Sequence, residues 1–272
     1  MSEGDERTED GSYWEGRGLR TFSYRGDRYY TVTPIAQYVR RRRWLLRRLE
    51  RLLEALPTGG SVLDFGCGDG FYAVEIERRF PRLRIYGCDP SRAMIEAAAA
   101  RAHRHRARVA FADCDEAMRH GPFDLVLIVA VLAHITDDAR LRAVLAQIRD
   151  RLVPGGRVVV FEMTAQRELR GDAWRRRSPE SYARLFADLG LELSATESLA
   201  APFHDGVGAR ICRAVVRLGY SGDPLRANAS VVYQRLTELL VAVAPIGDRL
   251  LRTCRAYTLY ELRHPAHAPH KS

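Results

Sequence analysis

The stretch Val62-Leu63-Asp64-Phe65-Gly66-Cys67-Gly68-Asp69-Gly70 joins an apolar run to a segment of helical periodicity. Glycines at such a strand-to-helix junction form a tight turn, which lets a ligand lie against bare backbone near the helix N-terminus. The spacing G-x-G-x-G, with an acid two residues before the first glycine, differs from the G-x-G-x-x-G pattern of dinucleotide-binding proteins. The bulky Phe71 would also suit the close helix–strand packing of a dehydrogenase poorly. We therefore expect a ligand-binding turn of another kind.

Short apolar and β-branched runs alternate with helical segments on both sides of this turn. Strands are predicted at residues 61–65, 83–88, 108–112, 125–130, 157–162, 191–199 and 256–262. Helices are predicted at residues 34–56, 72–79, 91–101, 138–152, 179–189, 208–218 and 229–244, with a short one after Pro245. This alternation is typical of a parallel sheet with right-handed crossovers. The fold class is therefore α/β: a Rossmann-like, seven-stranded, mostly parallel sheet with helices on both faces and a helical insertion between strands six and seven.

Composition sets the range of partners. With 46% hydrophobic and 28% charged residues, the chain reads as a globular protein, which excludes global disorder and a coiled coil. Its net charge is +9, and the first 18 residues carry −4, so the remaining residues carry +13. Nucleic acid, anionic lipid and phosphorylated substrates are therefore natural partners to test. Because Lys271 is the only lysine, the arginine excess equally suits a GC-rich genome.

The remaining compositional features indicate a cytoplasmic location. The longest apolar run, residues 125–133, is far shorter than the roughly 20 residues that a membrane-spanning helix needs. The N-terminus has acids where a signal peptide needs a basic start. The cysteines contain no C-x-x-C pair, so we expect free thiols and no zinc site; they are Cys67, Cys88, Cys114, Cys212 and Cys254. The histidines of the tail, His264, His267 and His270, are interpreted as part of a floppy end and not as a metal site.

Two acids follow the next two predicted strands. Asp89 ends the run Ile85-Tyr86-Gly87-Cys88, where a carboxylate can accept both hydroxyls of a ribose. Asp113 ends the following strand, where a carboxylate and the next backbone N–H can bind the exocyclic amine and a ring nitrogen of adenine. Each acid alone is a weak signal, and an acid such as Asp113 is often only a turn residue.

Together with Phe123-Asp124-Leu125-Val126 and Leu152-Val153-Pro154-Gly155-Gly156-Arg157, these motifs resemble those of class I S-adenosylmethionine-dependent methyltransferases, in the expected order over residues 60–165. The resemblance implies that S-adenosyl-L-methionine is the cofactor. It places Asp64, Gly66 and Gly68 at the methionine part, Asp89 at the ribose and Asp113 at the adenine. It also implies that Met94 packs on adenine and that residues 129–134 border the methyl group. The cofactor site implied in this way further includes Cys67, Pro90, Cys114 and Val129.

Members of this family transfer the methyl group by in-line displacement, and a base is needed only where the acceptor is protonated. The candidate catalytic residues are His134, Glu162 and Tyr30, with Tyr29 beside it; the pair His204-Asp205 is a weaker candidate. His134 has a suitable unperturbed pKa for a base, although a packing role fits as well. Glu162 could equally cap a loop, and the tyrosines could simply close over the cofactor.

The acceptor is the open question. A small molecule, such as a specialised metabolite, is favoured because the Asn-Pro-Pro-Tyr type of motif is absent and no RNA-binding module is visible. The insertion contains an apolar face that suits a lid, a core contact or a homodimer: Val231, Val232, Leu236, Leu239, Leu240 and Val243. The arginines of residues 167–177 allow an anionic acceptor. The alternatives are an RNA methyltransferase that uses the basic surface, and a cofactor-binding cyclase or regulator that transfers no methyl group.

These expectations divide the chain into segments. Residues 1–18 form a disordered acidic tail, residues 19–58 an N-terminal helical lid segment and residues 59–199 the cofactor-binding core. Residues 200–254 form the helical insertion, residues 255–263 the last core strand and residues 264–272 a tail. The arginines of the first helix are interpreted as a mostly solvated flank in preference to an anion-binding stripe; they are Arg40, Arg41, Arg43, Arg47, Arg48 and Arg51.

Overall fold

A computed structural model describes residues 22–25, 27–29, 35–171, 173–200, 209–250 and 255–265. The strands are β1 Phe22–Tyr24, β2 Asp27–Tyr29, β3 Ser61–Phe65, β4 Arg84–Cys88, β5 Val109–Ala112, β6 Phe123–Val129, β7 Leu152–Ala165, β8 Leu169–Gly171, β9 Trp174–Arg176, β10 Glu192–Ala200 and β11 Arg255–Arg263. The helices are α1 Ile35–Glu54, α2 Phe71–Arg79, α3 Arg92–His105, α4 Cys114–Met118, α5 Asp138–Asp150, α6 Pro179–Asp188, α7 Ala209–Gly219, α8 Pro224–Ala229 and α9 Val231–Leu250, with a 3₁₀-helix at Leu132–His134.

The central sheet has the order β10-β11-β7-β6-β3-β4-β5. The pairs from β7 to β5 are parallel, whereas β11 runs antiparallel to both β7 and β10. The predicted fold class, a seven-stranded and mostly parallel sheet with a helical insertion before its last strand, is therefore confirmed. The order reverses between β3 and β6, which makes their carboxyl ends the place where α/β sheets bind ligands.

Both faces of the sheet are covered by helices. On one face, Val126, Ile128 and Val160 pack against α5 and α6 in a cluster of fully buried side chains. On the other face, Leu125 and Leu127 pack against α1 and α2. The near-continuous apolar sequence of β6 reflects this burial on both sides.

Several boundaries differ from the sequence-based expectation. The fifth sheet strand, predicted at 157–162, extends over Leu152–Ala165 because all nine residues of β11 pair with its second half. The final insertion helix continues through Pro245 to Leu250, where a separate helix was expected. The hairpins β1–β2 and β8–β9 were not predicted, because three-residue strands have too few positions to show alternation.

The insertion packs on the N-terminal part of the chain. Helix α9 lies against α1, and Glu238 accepts hydrogen bonds from the Tyr24 hydroxyl at 2.7 Å and from the Arg25 guanidinium at 2.8 Å. Asn228 of α8 accepts the backbone N–H of Ile35 at 3.2 Å, which satisfies a donor at the first turn of α1. The described helices α1, α8 and α9 therefore form one continuous layer.

The predicted acidic tail, Tyr30, the pair His204-Asp205, and His267 with His270 lie outside the described residues. Within the described ranges, no helix combines the length and apolar character that a bilayer crossing requires.

Candidate active site

The carboxyl ends of neighbouring strands bring the predicted cofactor residues to one edge of the sheet. Phe65 at the end of β3 pairs with Cys88 of β4 on one side and with Ile128 of β6 on the other. Cys88 in turn pairs with Ala112 of β5. Since the strands are parallel, the residues that directly follow them lie side by side at this edge. These residues are Gly66, Asp89, Asp113 and Ala130.

Asp89 is built into the glycine turn. One carboxylate oxygen accepts the backbone N–H of Gly68 at 2.9 Å, and the other accepts the backbone N–H of Ser91 at 3.0 Å. Asp89 is 9% exposed. A carboxylate at this place, fixed by two backbone N–H groups, is of the type that can accept the hydroxyls of a ribose.

The first glycine of the turn is required by packing. Gly66 has φ +70°, and a Cβ added there would lie 2.4 Å from Cγ2 of Val131. The residue before Val131, Ala130 at the end of β6, has φ +55°, a conformation that is uncommon for a residue other than glycine. Backbone strain of this kind clusters at functional sites.

The second glycine has a different role. Gly68 has φ +53°, and no atom of the described residues lies within 4 Å of a Cβ added there. Packing among the described residues therefore leaves room for a side chain at position 68. A ligand lying along the turn would collide with such a side chain. This is the arrangement expected where a ligand touches bare backbone.

The remaining predicted cofactor residues differ in burial. Asp64 is 1% exposed and accepts the backbone N–H of Ala73 at 3.2 Å, and its burial raises its pKa to about 7. Met94 is buried, whereas Pro90 is exposed. Asp113 is exposed and caps α4 by accepting the N–H of Glu116 at 2.8 Å. The capping bond uses Oδ1 of Asp113, so Oδ2 is the oxygen suited to a ligand.

Thiols line the same edge. Cys67 is buried, and its backbone N–H donates to the carbonyl of Cys88 at 2.8 Å, which ties the turn to β4. Burial raises the pKa of the Cys67 thiol well above its usual value, so the group is a neutral packing residue. Cys114 is half-buried beside Asp113, and Val129 is half-buried at the end of β6.

Sequence reasoning missed the ion cluster under the turn. Asp69 lies between two buried arginines: Arg42 of α1 donates to one oxygen at 2.7 Å and Arg101 of α3 to the other at 3.0 Å. Although burial opposes ionisation, the two guanidinium groups lower the pKa of Asp69. The partners are 27 and 32 residues away in sequence, so no local pattern could have indicated them.

Glu162 supports a loop. It is 1% exposed, and its two oxygens accept the N–H groups of Ala133 at 3.2 Å and of Met163 at 2.9 Å. Burial raises the pKa of Glu162 to about 7. This geometry matches the capping alternative that the sequence left open, because the carboxylate holds the start of the 3₁₀-helix that carries His134.

His134 has a defined tautomer. Its Nδ1 lies 3.0 Å from the carbonyl oxygen of Ala173, and since a carbonyl can only accept, Nδ1 carries the proton. In the neutral ring this leaves Nε2 as the acceptor nitrogen, which is the form that a general base needs. The buried Arg177 fixes the 3₁₀-helix that carries His134, because it donates to the carbonyl of Leu132 at 3.3 Å and to that of Ile135 at 3.0 Å.

The opposite edge of the sheet contains a groove of 370 Å³ at the amino ends of β4 and β5. Its arginines are engaged with backbone: Arg82 donates to the carbonyl of Leu53 at 2.8 Å, and Arg84 to that of Gly59 at 2.8 Å. Arg82 and Arg84 therefore satisfy carbonyl groups at the end of α1 and in the loop that follows it. Among the described residues, no group of three or more His, Cys, Asp or Glu side chains is arranged to hold a metal ion.

The strand order, the glycine turn at the reversal point and the acid after the second strand define a nucleotide-binding α/β domain of the doubly wound type. Residues 63–158 match a family model described as a methyltransferase domain. Residues 63–158 therefore form a methyltransferase domain of the class I S-adenosylmethionine-dependent type, in agreement with the motif order of the sequence.

Similar proteins span several acceptor types. The chain is 33% identical over 114 residues to trans-aconitate 2-methyltransferase of Deinococcus radiodurans, covering 42% of each chain. It is 32% identical over 119 residues to a tRNA (carboxymethyluridine(34)-5-O)-methyltransferase of Macaca fascicularis, covering 43% of this chain and 16% of that protein. The chain thus spans less than half the length of these curated relatives.

Solved structures agree on the fold. A phosphoethanolamine N-methyltransferase 2 of Haemonchus contortus, solved with phosphomonomethylethanolamine and S-adenosylhomocysteine, aligns with a TM-score of 0.56 at 20% identity, covering 80% of this chain and 52% of that one. The [4+2]-cyclase SpnF aligns with a TM-score of 0.52 at 21% identity, covering 80% of both chains. At these identities the likeness concerns the fold alone.

Proposed function

We propose that this chain transfers a methyl group from S-adenosylmethionine to an oxygen, nitrogen or carbon atom of a small molecule, at the carboxyl edge of β3 to β7. The observation that carries the proposal is the hydrogen bond from the backbone N–H of Gly68 to the carboxylate of Asp89. The carboxylate accepts the backbone N–H groups of Gly68 and Ser91 at the edge where a ribose would lie, while Gly68 presents bare backbone to the rest of the cofactor. Asp113 would bind the adenine and Asp64 would support the turn.

When bound, S-adenosylmethionine would supply an electrophilic methyl group for in-line displacement. The chain's own contribution is then to align the acceptor and, for a protonated acceptor, to remove its proton. His134 is our candidate base, since its Nδ1–H bond to Ala173 leaves Nε2 as the acceptor. Glu162 positions this loop by holding its backbone, and Tyr30 remains a candidate from the N-terminal segment.

A small acceptor fits the surroundings of His134 better than a large one. The β8–β9 hairpin lies against the 3₁₀-helix, and Arg175 donates to the carbonyl of Thr136 at 3.2 Å, so protein covers this side of the edge. Arg176 stacks over the ring of Trp174, with 4.6 Å between its guanidinium carbon and the ring centroid. This segment follows β7, which ends at the carboxyl edge of the sheet, so its cationic and aromatic side chains would suit an anionic small molecule.

Methylation of RNA is the second candidate, because one of the sequence relatives acts on tRNA and the body of this chain is basic. Against it, several described surface arginines are paired with acids, including Arg48 with Glu197 at 2.7 Å and Arg142 with Asp188 at 2.9 Å. A cofactor-binding cyclase or regulator is the third candidate, which a likeness to SpnF in fold alone leaves open.

The test is a transfer assay with S-adenosylmethionine labelled in its methyl group and fractionated extracts as acceptors. Label in small organic molecules supports the proposal, whereas label in RNA supports the second candidate. Tight binding without any transfer supports the third. The Asp89→Asn variant should lose binding and transfer, while Asp115→Asn, an exposed acid in the first turn of α4, serves as the matched control.

The compartment and the assembly are also proposals. The described cysteines Cys67, Cys88, Cys114 and Cys212 are free thiols, which suits the cytoplasm. The insertion divides its apolar residues between two faces: Leu236 and Leu240 pack inside, whereas Val232 is 77% exposed and Leu239 61% exposed. We propose that the exposed face forms a homodimer contact, which sedimentation of wild-type chain and of Val232→Asp would test.

A further inference from the structure

Asp69 joins three separate parts of the molecule. It belongs to the glycine turn, and its carboxylate bridges Arg42 of α1 and Arg101 of α3. Arg101 also donates through Nε to the backbone carbonyl of Asp69 at 2.9 Å, so the backbone of the turn is held as well as its side chain. All three side chains are at most 10% exposed.

Arg42 is held in place by aromatic rings. Its guanidinium carbon lies 4.1 Å from the ring centroid of Tyr38, one turn earlier on α1, and 4.2 Å from that of Phe71, the first residue of α2. The planar guanidinium is thus enclosed between rings from two helices while it bonds to Asp69. A shift of α1 by an ångström or two would break these contacts together.

Helix α1 is also the element on which the insertion rests. The bond between Asn228 and the N–H of Ile35, and the packing of α9 along α1, connect the insertion to the same helix. A continuous series of contacts therefore runs from α8 and α9 through α1 and Arg42 to the turn that contains Gly68 and Asp69.

We propose that Arg42, Asp69 and Arg101 are positioning residues that couple cofactor binding at the glycine turn to the docking of α1 and the insertion. The proposal rests on the proposed function, since it takes the turn as the cofactor site. Coupling follows because the turn and α1 share one buried ion cluster: a ligand that fixes the turn also fixes α1, and a loosened α1 weakens the ligand.

The experiment measures S-adenosylhomocysteine binding by titration calorimetry, and backbone hydrogen exchange of α1 with and without this ligand. In the wild-type chain, ligand should slow exchange along α1. Asp69→Asn should weaken affinity by about tenfold, within the range found for residues that modulate coupling, and should abolish the slowing in α1. Glu197→Gln is the matched control, because it removes the exposed ion pair of Arg48 on the same helix and should leave affinity unchanged.

Loss of a buried carboxylate could prevent folding, so Arg42→Lys is the second variant. Lysine keeps the charge but cannot make the planar stacked contact, and we expect weaker ligand binding with an intact circular dichroism spectrum. The coupling is overturned if ligand binds the wild-type chain without changing exchange in α1, or if folded variants bind as tightly as wild type. Absence of any binding to the wild-type chain would instead overturn the proposed function and this inference together.

Discussion

Replacing Gly66 by alanine tests the packing of the turn. An alanine at φ +70° costs about 1–2 kcal/mol in left-handed strain. The new Cβ would also lie 2.4 Å from Cγ2 and 3.1 Å from Cγ1 of Val131, and overpacking of this kind costs about 1–3 kcal/mol. We expect Gly66→Ala to lower the free energy of unfolding by about 2–5 kcal/mol, the sum of these two costs.

Gly190 provides the matched control. It also has φ +70°, and no atom of the described residues lies within 4 Å of its added Cβ, so Gly190→Ala carries the strain without the contact. Replacing glycine by alanine also lowers the conformational entropy of the unfolded chain, which favours folding. This contribution is common to both variants and cancels when their free energies of unfolding are compared. Urea unfolding followed by circular dichroism gives both values.

Equal losses of stability in the two variants would refute a contribution from the Val131 contact. A second check is the double variant Gly66→Ala with Val131→Ala, which removes both methyl groups from the contact. The two substitutions should then couple favourably by about 0.5–3 kcal/mol in a double-mutant cycle, the range for residues in contact.

Four further predictions concern the loop, its support and the turn. Burial raises the pKa of Glu162 to about 7, so the native state keeps a proton that the unfolded chain releases above about pH 4.5. The free energy of unfolding should therefore fall as the pH rises from about 4.5 to about 7. Glu162→Gln should flatten this slope in unfolding curves measured across that pH range. Arg177→Gln should cost about 1–3 kcal/mol of stability, because it removes a buried guanidinium and leaves the carbonyls of Leu132 and Ile135 without that donor. Arg142→Gln, which breaks an exposed ion pair, should cost less than about 1 kcal/mol in the same assay. His134→Ala should lower kcat by about 10²–10⁴ if His134 is the base, with S-adenosylhomocysteine affinity unchanged; an unaltered kcat would leave it a packing role. Gly68→Ala should weaken that affinity while remaining folded, and calorimetry on the folded variant decides this.

The fold could be predicted from the sequence because its determinants are local. The run of residues 61–65, the glycines after it and the acid at Asp89 lie within thirty positions of one another, and strand periodicity places the other elements around them. Parallel pairing then brings the strand ends to one edge, so Asp89 and Asp113 could be assigned to this edge from the sequence alone.

The support of the site could not be predicted, since it depends on contacts between distant residues. Arg42 looks like one member of an arginine-rich helix flank, and only the fold shows that it is 6% exposed, whereas Arg43 and Arg47 are exposed as expected. The capping role of Glu162 likewise depends on the position of a loop 29 residues away. A buried charge leaves no periodic signal in the sequence, because its partner can come from any element.

The central claim is that the turn after β3 and the carboxylate of Asp89 form the cofactor site. A crystal structure of the chain with S-adenosylhomocysteine tests it most directly. We predict that the ribose hydroxyls bond to Asp89 and that the amino-acid part lies along the backbone from Gly66 to Gly68, with the sulfur toward His134. A ligand that lies elsewhere, such as in the groove at the amino ends of β4 and β5, or whose ribose makes no contact with Asp89, would contradict this assignment of the site.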